Sequence, residues 1–231
     1  MNALGQIIAY ISRIMAILLN FFNTTLSQGL GLKQSWGLSV ILLTFVVRLL
    51  LFPSSIKQTR SMEEVKKIQP LLKEIQEKYK DQPEEYQKKT LEVYKKSGVN
   101  PFGGCLPMLL QLPILMALYQ LLHSPAKFDI NLSHASFLWI GLMDAGKLTS
   151  NGILAVLSAA TTYWLQKITS TSTGNDPVQK NTIYFVTGIT AYFTYIFSAG
   201  LGIYWVTNNI ISIIQHWIIL RYFIKNKEVK D

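Results

Sequence analysis

The sequence predicts an all-α polytopic membrane protein: a five-helix transmembrane bundle with a cytosolic helical hairpin and an N-terminal interfacial amphipathic helix. Three observations predict it. Of the 231 residues 49% are hydrophobic and only 15% charged, where a soluble domain carries roughly 25% charged. The apolar residues come in blocks of near-spanning length instead of at core periodicity. Lys and Arg gather on one side of those blocks. Lipid offers nothing to unpaired backbone groups, so such blocks are helices, and five of them do not make a barrel.

Residues 1–35 form the N-terminal helix and a linker. Asn2, Gln6, Ala9, Arg13, Ala16 and Asn20 recur at spacings of four and three, which puts polar or small residues on one stripe of a helix. Two readings remain, a helix lying in the outer interface and a sixth span. The first is favoured because a span would place Arg13 in mid-bilayer. No basic stretch precedes an apolar core, so a secretory signal is a poor match.

The first span, 36–53, reads WGLSVILLTFVVRLLLFP and contains a permanent cation, Arg48. A charge at a helix centre costs roughly 2.5–3.5 kcal/mol on insertion scales. Arg48 is five residues from Pro53, about 7.5 Å at helical rise, so snorkelling to the cytosolic headgroups is one account of it.

Residues 54–104 are charged and helix-favouring. Met62, Val65, Ile68, Leu72, Ile75 and Tyr79 form a seam of alternating threes and fours. Asp81–Pro83 interrupts it, and a second helix from about Glu84 to Lys96 offers Tyr86, Val93 and Tyr94 before Gly98 stops it. This is the cytosolic hairpin. A solvated linker is the bland reading, but the segment is long for a connection without a task.

The second span, 105–123, carries Pro107, suited to a helix start, and Pro113, which predicts a kink. An extracytoplasmic loop, 124–151, leads to the third span, 152–168. A cytosolic loop, 169–181, leads to the fourth span, 182–199. Ser198–Gly202, SAGLG, reads as a tight turn into the fifth, 201–221, and a basic cytosolic tail follows at 222–231. Between Pro53 and Gly104 lie eleven Lys and Arg, and the third loop and tail add more. The bias puts the N-terminus outside and the C-terminus in the cytosol. It also accounts for the net charge of +9 without nucleic-acid binding as a primary role.

Catalytic chemistry finds no residues. Cys105 has no partner for a disulfide and reads as a small packing residue. His123, His134 and His216 lie on different elements, with no metal-ligand spacing. There is no nucleophile with an adjacent base and no phosphate-cradling glycine loop. The expectation is a protein that is not an enzyme and uses no cofactor. What the spans do carry is polar: Thr44 one turn from Arg48, Gln111, Gln166, and Asn208, Ser212 and Gln215 on one stripe. Each alone is an ordinary helix–helix contact. Together, in the cytosolic leaflet, they predict a hydrated pocket open to the cytosol and closed outside.

Long motifs then carry a resemblance. TFVVRLLLFP, NPFGGCLPMLLQLPILMALYQLL (Asn100–Leu122), TYWLQK, DPVQKNT and SAGLGIYWVTNNIISIIQ resemble, in order, the spans of the YidC/Oxa/Alb family of membrane protein insertases, of the short bacterial type without a large periplasmic domain. The fourth span has no proline, and WIGLMDAGKLTSNG lacks the family's Asp-Pro-Tyr-type entry to the third. The resemblance implies a client-binding groove of Arg48, Thr44, Gln111, Gln166, Trp205, Ser212 and Gln215. It implies a chaperone of the bacterial cytoplasmic membrane that moves short polar segments of nascent membrane proteins across the bilayer. Apolar client helices would leave into lipid beside spans one and four. Nascent membrane proteins and the lipid bilayer are the implied partners. The ribosome, the signal recognition particle system and the Sec translocon are candidate further ones, and no small-molecule substrate is implied. The competing classes are a small channel or transporter using the same groove, and a membrane anchor whose hairpin docks partners.

Overall fold

The computed structural model describes residues 3–32, 35–100, 106–132, 135–170 and 177–224, with the side chains of 3–4, 106–110 and 177–178 excepted. Lys33, Cys105, His134 and the basic tail from Lys225 onward lie outside the described residues. In chain order come α1 (Ala3–Thr24), α2 (Ser35–Leu50), α3 (Phe52–Lys78), α4 (Pro83–Lys96) and α5 (Leu106–His123). A two-stranded antiparallel pair follows, β1 (Ser136–Phe137) and β2 (Ile140–Gly141), then α6 (Ile153–Thr169), α7 (Pro177–Ile196) and α8 (Ala199–Ile218).

α1 packs on α2 and α5 and divides into three stripes. Ile8, Ser12, Met15, Ala16 and Leu19 are buried against the bundle, while Ile7, Tyr10, Ile14, Ile17 and Phe21 are exposed and apolar. Gln6, Arg13 and Asn20 are exposed and polar. Ala16, which the sequence puts on the polar stripe, thus belongs to the core. Ser12 Oγ lies 2.8 Å from the Ile8 carbonyl and 3.2 Å from the Ala117 carbonyl of α5. Its one proton can reach either, so this buried hydroxyl is satisfied on the seam between the two helices. The Gly5–Gly29 stretch has a mean hydropathy of 1.5 and is long enough to cross a membrane.

α2 ends at Leu50, and α3 leaves it at 63°. Pro53 is the second residue of α3. It has no N–H to bond the Leu49 carbonyl, and its ring would collide with that carbonyl in a continuous helix, so the chain must bend here. The span read as reaching Pro53 is therefore shorter, and the helix read as starting at Ser54 begins at Phe52. α3 continues through Pro70 and packs on α4. Their separate small core is Val65, Ile68 and Val99, with Leu72, Val93 and Tyr94 against it. Gly98, at φ 65°, ends this pair.

α5 runs on through Pro113. α7 starts at Pro177 and ends at Ile196, earlier at both ends than the sequence reading, and with no proline inside it has no cause to kink. The break before α8 is confined to Phe197 and Ser198. The glycines of SAGLG lie in the first turn of α8, where they serve packing instead of turning. A Cβ on Gly202 would stand 3.0 Å from Thr194 Cγ2 and 3.1 Å from Leu154 Cδ1.

The helix ends remote from the α3–α4 pair are tied together by backbone bonds. Gly146 N–H donates to Tyr195 O (2.9 Å), Ala199 N–H to Asp144 O (2.7 Å) and Gly200 N–H to Leu142 O (2.9 Å). Buried Asn151 adds a side-chain bond to Phe197 O at 2.8 Å. The Lys147 ammonium, 2.5 Å from Asp144 Oδ1, holds that carboxyl below its ordinary range. The pair is exposed on the lysine side, so it contributes less than about 1 kcal/mol; the backbone bonds hold the cap.

Candidate functional site

A cavity of about 750 Å³ lies among α2, α3, α5, α6, α7 and α8. Its polarity changes along its length. One end is lined by Arg48, Ser54, Ser55 and Gln58 at the α2–α3 bend, with Gln111, Gln166 and Asn208 nearby in the lining. Towards the other end come Leu115, Met116 and Tyr119 of α5, Ile189 and Phe193 of α7, and Phe197 of the break before α8. Rings gather at that end. Tyr119 and Phe197 have centroids 5.3 Å apart, Phe193 stacks on Phe197 at 5.5 Å, and His123 stacks on Tyr119 at 5.2 Å.

Arg48 is the one charged side chain among the described lining residues. It is in the last turn of α2, where a cation complements the helix dipole. Its Nε donates to Asn208 Oδ1 of α8 at 2.7 Å. Asn208 is a neutral acceptor, so it orients the guanidinium without cancelling its charge. The α2 helix stops within one turn of Arg48, which leaves the Arg48 carbonyl without a helical partner. Gln215 Nε2 donates to it at 3.1 Å. Side chain and backbone of Arg48 are thus both fastened to α8.

Of the seven residues expected in the lining, the structure brings four to it: Arg48, Gln111, Gln166 and Trp205. Gln111 Nε2 donates to the hydroxyl of buried Tyr204. The other three stand off the lining. Thr44 is buried and its hydroxyl donates to Val40 O at 2.7 Å. Ser212 does the same to Asn208 O at 2.5 Å. These hydroxyls are absorbed by the turn below them, and Gln215 caps α2. Asn208, which the sequence reading puts on the polar stripe but which the groove implied by the resemblance omits, also lines the cavity, as do Asn209, Thr162 and Thr190, which appear in neither. Asn209 Nδ2 donates to Thr162 Oγ1 at 2.8 Å and lies 3.2 Å from Thr161 Oγ1. The Thr-Thr pair in an apolar run was the available signal. No group of His, Cys, Asp and Glu able to hold a metal occurs among the described residues.

Comparison with known proteins follows the same geometry. Residues 26–227 match the family model described as 60Kd inner membrane protein. A membrane protein insertase YidC of Fusobacterium nucleatum is 35% identical over 213 residues, covering 92% of this chain and 98% of that one. One from Helicobacter pylori is 36% identical over 194 residues, 84% of this chain and 34% of its own length. The chain thus spans nearly all of the first and about a third of the second. Among solved structures, an active YidC insertase with its first transmembrane domain resolved aligns with a TM-score of 0.66 and 28% identity. That match covers 89% of this chain and 45% of that one.

Proposed function

This chain belongs to the 60Kd inner membrane protein family, the YidC-type membrane protein insertases of the bacterial membrane, and from that premise we propose how its cavity inserts a client. The polar end at the α2–α3 bend faces the cytosol, with the N-terminus outside and the C-terminus inside. The eleven Lys and Arg between Pro53 and Gly104 support that orientation. A client's short polar segment enters the polar end, where water and the Gln111, Gln166 and Asn208 amides replace its solvation. Arg48 attracts acidic residues of that segment. Two unit charges at 4 Å attract by about 4 kcal/mol at an effective dielectric near 20, and by only about 1 in bulk water. A site screened from water therefore gains from a single cation. The polar segment then has a shortened apolar barrier left to cross.

The client's apolar helix leaves between α5 and α7, which flank the apolar end, and not beside α2 and α7 as the sequence reading has it. α3 and α4 form the cytosolic surface that receives the client, and the Lys225, Lys227 and Lys230 charges of the C-terminal sequence would attract the ribosome. The signal recognition particle system and the Sec translocon would meet the protein on that same face. No bound group is required for any of these steps. The observation that carries this reading is Arg48, fixed by a neutral partner and unaccompanied by another charge among the described lining residues, at the polar end of a cavity that grades to apolar. Against a channel stands the ring cluster Tyr119–Phe197–Phe193 across the outer end.

The test is reconstituted insertion of a single-span client with an acidic N-terminal tail. Arg48→Ala should lower insertion at least tenfold, about 1.4 kcal/mol, and Arg48→Lys should retain most of it. Equal insertion by all three proteins, after equal expression and folding, sinks the groove mechanism. Ion flux that changes on charge reversal would favour a channel instead.

A further inference from the structure

The β1–β2 turn has the wrong residues for a turn in water. Ser136 pairs with Gly141 and Phe137 with Ile140, which leaves Leu138 and Trp139 as a two-residue loop. Leu138 has φ 56°. A positive φ at the first loop position alone is the pattern of a II′-type hairpin, which favours glycine there. Instead two large apolar side chains stand at the tip, Leu138 53% and Trp139 67% exposed. The base of the hairpin is fixed. Ile140 and Leu142 are buried, Leu142 N–H donates to Ala135 O at 2.9 Å, and Phe137 lies so close over Gly37 in α2 that no Cβ would fit. Gly37 is in the first turn of α2, so the hairpin sits at the outer end of that span. Just upstream, Leu30 is 68% exposed.

We infer that the Leu138–Trp139 tip is a membrane anchor, seated in the headgroup region of the outer leaflet. Three features select lipid as the occupant. The base of the hairpin packs on the first turn of α2, where a spanning helix begins, which puts the tip within reach of the interface. Tryptophan is the side chain that prefers this depth, with an apolar body and one polar N–H. A strained leucine at the turn costs stability in water and is compensated where its side chain is removed from water. The anchor would set the height of the outer cap, whose backbone bonds hold α7 and α8 and whose Phe137 packs on α2.

The full-length protein, reconstituted in vesicles of phosphatidylethanolamine and phosphatidylglycerol, provides the test. Its five tryptophans make Trp139 readable as the difference between wild type and Trp139→Phe. Lipids brominated near the carbonyl end of the acyl chain should quench that difference at least twofold more than lipids brominated near the chain terminus, and aqueous iodide should barely quench it. A difference signal that iodide quenches and bromine does not overturns the proposal, as does one that neither quenches, which would mean a protein contact. Leu138→Asn, a residue that accepts positive φ, is the second variant. It should fold as well in detergent and shift the Trp139 emission to longer wavelength in vesicles; an unchanged emission counts against the anchor.

Discussion

Asn208 decides what Arg48 is free to do. Among the described contacts the guanidinium commits one of its five N–H donors, and to a neutral oxygen. An aspartate of the same shape would turn that bond into a charge-assisted pair and compensate the cation before a client arrives. Asn208→Ala should therefore lower insertion of an acidic-tailed client a few-fold, through loss of orientation. Asn208→Asp should lower it at least tenfold further, about 1.4 kcal/mol, although it is the smaller change in shape. An Asn208→Asp protein that inserts as well as Asn208→Ala, in the same reconstituted assay, means that Arg48 does not act by its charge. The site was legible in the sequence to the extent that polarity in an apolar run is a rare event. Arg48, Gln111 and Gln166 announce themselves in that way. Thr44 and Ser212 announce themselves equally and mislead, since a hydroxyl can be satisfied by the carbonyl one turn below and leave no trace of it in spacing. The cap that Gln215 makes depended on where α2 ends, which only the bend at Leu51 fixes.

α1 raises the same question one level up, because its length and hydropathy alone would let it cross the membrane. Its stripes argue otherwise. Gln6, Arg13 and Asn20 are exposed along one line over fourteen residues, about 21 Å at helical rise. A crossing helix would lay that line through most of a hydrocarbon core of roughly 30 Å. A helix lying flat against the bundle turns the line to water for its whole length. Ile8, Met15 and Leu19 then face α2 and α5, and Ile7, Ile14 and Phe21 face lipid. Single cysteines at positions 6, 13 and 20, in a Cys105→Ser background, should all react with a membrane-impermeant maleimide added outside. Cysteines at 7, 14 and 21 should react at least tenfold more slowly. Labelling confined to one end of the helix, with position 13 silent, would make α1 a span. Hydropathy made the helices legible as blocks, and charge made the α3–α4 pair legible. Neither carries the direction of a helix axis, so the 63° turn after Leu50 had to come from packing.

On the scale of the molecule, the proposed exit makes α5 and α7 the pair of helices to test. α7 packs along α6 and also on α8, which are themselves walls of the cavity, and α1 backs α5. Between them lies the apolar end of that cavity, where Tyr119 of α5 meets Phe197 just past the end of α7. Such a pair is worth about 0.5–1.5 kcal/mol beyond the area it buries. In lipid there is no hydrophobic penalty for parting two apolar helices, so separation is cheap and a client helix can fill the gap with its own apolar side chains. Joining them should therefore stop insertion while leaving the groove intact. Cysteines in place of Met116 and Ile189, which line opposite walls, would be bridged by a short bifunctional maleimide in the Cys105→Ser background. Insertion should fall at least tenfold with the short bridge and recover with a long flexible one. The control joins α6 to α7 through cysteines at Tyr163 and Tyr184, whose rings are already 6.3 Å apart; that bridge should cost nothing. If the short bridge across the cavity leaves insertion at the level of the α6–α7 control, the client does not leave between α5 and α7. The exit must then be sought on the α2 side, where Arg48 and α8 are locked together and any opening has to break the bonds that hold the cation in place.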